Sequence, residues 1–269
     1  VIGTSISDAV AVEIGGLPIR LRARDQGFLE MLRTRYRGFV NPAADPAYEF
    51  EIEIVAPQES AESDEDLRVR CNEKTWELTR GDFRATWDAA RRCGCVRQSA
   101  NPYSIDSVLR VVHTLALARE GGFLLHAASG IRNGKAFAFS GVSGAGKTTI
   151  SRLAPSDVRL LTDEISYIRR VELGYIACGT PFAGELARAG ENLQSPLQAL
   201  FFLRKGLENR IDPVAKADAL RELMRNILFF AEDPELVNMV FASACEFVER
   251  VPVGQLTFVP NERVWGLIG

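Results

Sequence analysis

Gly141-Val142-Ser143-Gly144-Ala145-Gly146-Lys147-Thr148 fits the pattern G-x-x-x-x-G-K-[ST] at every position. Residues of these types at this spacing hold a polyphosphate. Glycines let backbone N–H groups curl around phosphate oxygens, and the start of a following helix adds partial positive charge. The lysine reaches the β- and γ-phosphates, and the Thr hydroxyl sits on Mg²⁺. The motif predicts ATP bound by Gly141, Ser143, Gly144, Ala145, Gly146, Lys147, Thr148 and Thr149, with Mg²⁺ as cofactor. Its context agrees. The apolar run 136–140 before it predicts a buried strand, and residues 149–153 after it predict the first turns of a helix.

Three further sets of residues bear on that site. Asp163 and Glu164 close an apolar run at 158–161, where a phosphate-bound metal needs carboxylate oxygens from a neighbouring strand end. Thr148, Asp163 and Glu164 are therefore the predicted metal residues. His126 lies in the apolar segment 123–128, two segments ahead of the loop. A histidine in such a segment is commonly a satisfied core residue. A neighbouring strand would instead bring its imidazole to Asp163, and a His–Asp pair tunes a proton acceptor for a hydroxyl. Residues 179–185 form a glycine-rich turn with one carboxylate, either a loop that closes over an acceptor or a tight connection. Arg204 and Lys205 follow the apolar segment 197–203, as a clamp on transferring phosphate or as a solvated strand end. His113 falls on the preceding predicted helix and reads as structural.

Elements able to position these groups follow from periodicity. Residues 9–14, Gly15-Gly16 and 17–21 predict a hairpin. Apolar residues at helical spacing predict a helix over 26–36, and strict alternation predicts a strand over 48–54. An acidic loop spans 58–66. Short segments at 67–71, 75–79, 83–88 and 93–98 predict an antiparallel meander. A domain boundary is expected near Asn101-Pro102, giving a β-rich module over 1–103 and a nucleotide-binding domain over 104–269. The second begins with a helix over 104–119, ended by Gly121-Gly122. Strands are predicted at 123–128, 158–161, 165–171, 175–178, 197–203 and 255–259, with helices at 215–229 and 233–250. Asn133-Gly134 marks a hairpin turn into the strand before the loop. The fold class predicted is α/β with a mixed sheet, preceded by a small β-rich α+β module.

Composition narrows the classes. The chain has 269 residues, 46% hydrophobic and 25% charged, with a net charge of -3. That balance is ordinary for a globular protein and gives no electrostatic footprint for nucleic acid. No apolar run approaches the length of a membrane span, and the first residues lack the basic and apolar regions of a signal peptide. Five scattered cysteines do not suggest a disulfide framework, so a cytoplasmic location is expected. Cys93-Gly94-Cys95 offers two thiols without a second cysteine pair, which reads as two positions along a strand rather than a metal site.

Leu124-Leu125-His126-Ala127-Ala128, Gly141 to Thr148 and Leu160-Leu161-Thr162-Asp163-Glu164 together resemble the catalytic domain of the HPr serine kinase/phosphorylase family, and most of all its divergent bacterial relatives. The resemblance covers roughly residues 105–260. It implies a P-loop fold shared with ATP-dependent phosphoenolpyruvate carboxykinases, and transfer of the ATP γ-phosphoryl group to a serine or other hydroxyl of a protein, peptide or small acceptor. It also implies homo-oligomeric assembly. Asp163 then takes the role of base for the hydroxyl, with His126 supporting it and Lys147 completing the catalytic set. The second acidic position is usually Asp and here is Glu164. The family's long signature loop is not recognisable, and residues 179–185 stand in its approximate place. Two rivals remain: a carboxykinase-like enzyme, for which His113 and His126 are few ligands, and a non-catalytic ATP-dependent switch. Labelled-ATP transfer separates them.

Overall fold

In a computed structural model, the structure describes residues 8–56, 67–81 and 83–269. The acidic loop expected at 58–66 lies outside the described residues. The chain forms two compact units, one of Val1–His113 with Phe230–Asp233, the other of Thr114–Phe229 with Pro234–Gly269.

The first unit is built on a seven-stranded mixed sheet. Its elements are β1 (Ala9–Ile14), β2 (Leu17–Ala23), α1 (Gln26–Arg35), β3 (Tyr48–Ile54), β4 (Arg68–Asn72), β5 (Thr75–Arg80), β6 (Phe83–Asp88) and β7 (Cys93–Gln98). The strand order is β1-β2-β3-β7-β6-β5-β4. The hairpin turns at Gly15 and Gly16, both at positive φ, as the Gly-Gly pair predicts. β4 to β7 form the expected antiparallel meander, but β7 pairs parallel with β3, and β3 with β2. α1 starts at Asp25, whose side chain accepts from the Phe28 amide. Cys93 and Cys95 are exposed on β7, and among the described residues no group of three or more His, Cys, Asp or Glu is placed to hold a metal ion.

α2 (Pro102–Glu120) begins in this unit and carries Asp106 on its inner face. Asp106 accepts from Arg35 Nε at 3.0 Å and from the Tyr36 hydroxyl at 2.7 Å, and pairs with Arg35 Nη2. This bond holds the Arg35 guanidinium charged, while burial first and then Asp106 push the Tyr36 phenol well above its ordinary range. Removing one member of such a buried set leaves the others unpaired. Asp106→Ala is expected to destabilise the chain by about 3 kcal/mol, read as a lower urea midpoint with the m-value unchanged.

His113, also on α2, is completely buried, and burial pushes its imidazole down to about 3. The folded state therefore keeps it neutral where the unfolded chain, titrating near 6.5, takes up a proton. Stability should fall as pH drops below 6.5 towards 3, by about 1.4 kcal/mol per pH unit from this group. Urea denaturation at pH 7 and pH 5 checks the sign, and His113→Leu should flatten that dependence.

The second unit has a mixed sheet of β8 (Phe123–Arg132), β9 (Lys135–Ser140), β10 (Arg159–Thr162), β11 (Ile165–Val171), β12 (Gly174–Cys178), β13 (Gln194–Lys205), β14 (Arg210–Pro213), β15 (Ile227–Leu228) and β16 (Val253–Phe258). β9 lies between β8, antiparallel to it, and β13, parallel to it; β13 runs parallel to β16. Alternation along β9 explains its burial on both faces. Ala136 and Ala138 join a core with Leu200, Phe202, Leu223 and Phe247. Phe137 and Phe139 join another with Phe201, Ile150, Phe258 and Trp265. The first core is covered by α4 (Lys216–Asn226) and α5 (Pro234–Arg250), the second by α3 (Lys147–Arg152) and a C-terminal 3-10 turn at Glu262–Leu267. The architecture is α/β with mixed sheets, and no helix among the described residues is long and apolar enough to cross a membrane.

Candidate functional site

The glycine loop spans the gap between β9 and α3, so its residues hang at the C-terminal end of a central strand flanked on both sides. Ser140, the last residue of β9, donates its hydroxyl to the His126 carbonyl at 2.9 Å and fixes that end to β8. Within the loop, Ala145 N–H bonds the Val142 carbonyl at 3.0 Å. Gly144 and Gly146 both lie at positive φ, 76° and 114°. Gly146 is doubly constrained, since a Cβ there would come within 2.7 Å of the Phe258 ring. No side chain caps α3 at Gly146 among the described residues. At the other end, Trp265 Nε1 donates to the Ile150 carbonyl at 3.1 Å and pins the helix to the core.

Lys147 is buried at 7% exposure, and its ammonium folds back to the Gly141 carbonyl at 3.0 Å. Burial pulls its pKa down, and the carboxylates of Glu164 and Glu185 act in the opposite sense. A buried cation beside a glycine loop, hydrogen-bonded to a neutral carbonyl, suits an anionic group. Ser143 and Gly144 are exposed, while Thr148 and Thr149 are partly buried on the first turn of α3.

β10 delivers the two acidic residues. Thr162 Oγ1 accepts from the Glu164 and Ile165 amides, each at 3.2 Å, and so turns the chain sharply between β10 and β11. Asp163 and Glu164 occupy that turn with different environments. Asp163 is 3% exposed and both its oxygens are taken: Oδ1 accepts from the Gly184 amide and Oδ2 from the Leu186 amide, each at 2.9 Å. Glu164 keeps 35% of its side chain exposed and faces His126, with Nε2 to Oε1 at 3.3 Å.

The expected pairing of His126 with Asp163 is therefore corrected: the imidazole meets Glu164. The reason is register. β11 pairs with β8 so that Ile165 lies opposite His126, and Ala127 N–H bonds the Glu164 carbonyl at 3.0 Å, which sets Glu164 beside the histidine. Asp163 is turned inward to the amides of residues 184–186.

Residues 179–191 form a loop whose two stems are bonded to β10: Thr180 N–H to the Leu161 carbonyl at 3.1 Å and Glu191 N–H to the Leu160 carbonyl at 3.0 Å. Glu185, not among the predicted site residues, sits in its tip between the two amides that Asp163 holds. The glycines at 179, 184 and 190 are the signal in the sequence, since repeated glycine in a short loop marks close backbone approach. Arg204 is engaged on α4. Its guanidinium pairs with Glu222 on α4 at 3.2 Å, beside an open cleft of about 500 Å³ that no loop residue lines.

Residues 96–269 match the family described as SynChlorMet cassette protein ScmC. The chain belongs to that family. No curated protein matches it. The matched stretch spans His126, the glycine loop with Lys147 and Thr148, Asp163, Glu164 and Glu185.

Proposed function

We propose that this ScmC-family chain is an ATP-dependent phosphotransferase that moves the γ-phosphoryl group to a hydroxyl of a protein, peptide or small-molecule acceptor, in the manner of the HPr-kinase-like proteins its motifs resemble. The single observation that carries the proposal is the buried Lys147 ammonium over a loop of positive-φ glycines, with two further carboxylates, Glu164 and Glu185, within electrostatic reach. Loop amides and Lys147 hold the phosphates. Thr148 supplies a hard oxygen donor for Mg²⁺, which takes few protein ligands and completes its shell with phosphate and water. When bound, that ion offsets charge on the phosphate oxygens.

Glu164 is the carboxylate placed to receive the acceptor's proton. It is half-open to solvent, whereas Asp163 has committed both oxygens to backbone amides. His126, with Nε2 3.3 Å from Glu164 Oε1, orients it. The loose transition state of phosphoryl transfer asks mainly for positioning and charge stabilisation, which these residues provide.

The test is incubation of purified protein with γ-labelled ATP, Mg²⁺ and hydroxyl-bearing peptides or carrier proteins. Label appearing as a phosphate ester supports the proposal. Tight ATP binding with no transfer to any acceptor supports a nucleotide-dependent switch instead.

A further inference from the structure

Residues 184–186 are held by a side chain rather than by a strand. Asp163 accepts from the amides on both sides of Glu185, and the fit is close: a Cβ on Gly184 would stand 2.9 Å from Asp163 Oδ2 and 2.6 Å from Glu164 Oε2. The stems of the loop are fixed to β10, and Ala187 N–H closes back on the Gly184 carbonyl at 3.0 Å, with Ala187 at a φ of 51°. The loop tip thus has one orientation, set at its centre by the Asp163 carboxylate. A carboxylate with two well-formed amide bonds is strongly committed, because each charge-assisted bond is about twice as strong as a neutral one.

We infer that Asp163 is a positioning residue that grips the 184–186 strap and thereby sets Glu185 beside the acidic turn of Asp163 and Glu164, making Glu185 a further residue of the site. The inference rests on the phosphotransferase proposal for its functional half only. It assigns Asp163 a task other than proton acceptance. Glu185 gains its place from its neighbours' amides.

Two readouts test this on the full chain. Amide hydrogen exchange is followed at Gly184 and Leu186, with β9 amides as the internal reference. Affinity is measured for Mg·ATP. Asp163→Asn should speed exchange at both strap amides at least tenfold and leave β9 protected; Glu185→Gln should leave all of them slow. Both variants should shift the Mg·ATP Kd in the same direction by a similar factor of at least three, and the double variant no further, because they act through one structure. Gly184→Ala approaches from the strap side, leaves Asp163 in place and should speed exchange at Leu186 equally; it stands in if Asp163→Asn loosens β9. Unchanged strap exchange in Asp163→Asn and Gly184→Ala overturns the assignment, as do Kd factors that multiply or are absent in a wild type that binds ATP. A wild type that binds no Mg·ATP, with strap exchange accelerated as stated, removes the phosphotransferase proposal and supports the Asp163 grip.

Discussion

Replacing Lys147 with alanine is expected to raise the Kd for Mg·ATP by roughly 10- to 150-fold, about 1.5–3 kcal/mol, the worth of a hydrogen bond to a charged group. The expectation comes from where the ammonium lies. It is buried, hydrogen-bonded to the Gly141 carbonyl at 3.0 Å, and depressed in pKa by that burial. A phosphate oxygen would give it a charged partner that the loop carbonyl does not. The fold itself should tolerate the change, because the variant removes a desolvated charge and leaves α3 anchored through Trp265 and Ile150. Titration calorimetry reads the effect. Arg152→Ala, an equal loss of charge at the far end of α3, serves as control and should leave the Kd within about twofold of the wild type, as a screened surface charge does. Equal weakening by both variants would mean that general charge, not the loop, attracts the nucleotide.

Replacing Glu164 with glutamine is expected to cost roughly 10²–10⁴ in transfer rate, the usual range for a positioned proton acceptor, with Mg·ATP still bound. The amide keeps the size and one acceptor oxygen, so the approach of His126 Nε2 survives in form while the carboxylate charge is lost. Single-turnover transfer with labelled ATP separates this from a binding defect. His126→Gln should lower the rate less, since the imidazole acts through Glu164. A Glu164→Gln variant that transfers at the wild-type rate would remove Glu164 from the proton-accepting role.

Much of the fold was legible because each element carried its own period or punctuation. Gly15-Gly16 and Asn133-Gly134 turn where their dipeptides predict, with both residues at positive φ. Strict alternation in Tyr48–Ile54 gives a strand with Phe50 and Ile52 buried and Glu51 and Glu53 exposed. β14 escaped notice because Arg210-Ile-Asp-Pro is short, charged and ends in proline, features of an edge strand that no periodicity reveals. The parallel pairing of β3 with β7 was likewise invisible, since strand neighbours in a sheet depend on contacts distant in sequence.

The site was legible in its parts and not in its wiring. The glycine loop, Asp163, Glu164 and His126 stand out by residue type and spacing. Which carboxylate meets the histidine depends on a one-residue choice of register between β8 and β11, and successive residues point to opposite faces. That choice turned Asp163 to the 184–186 amides and Glu164 to His126. The glycine-rich turn carrying Glu185 stands out in the sequence, but its attachment to Asp163 does not, because it is made by backbone amides, which every residue except proline carries.

The most direct measurement is a crystal structure of the full chain with Mg²⁺ and a non-hydrolysable ATP analogue. The β-phosphate oxygens are expected within about 3 Å of loop amides between residues 143 and 148, with the Lys147 ammonium moved from the Gly141 carbonyl to a phosphate oxygen. An analogue bound in the cleft beside Arg204, or no analogue at saturating concentration with Lys147 still on Gly141, would contradict that placement.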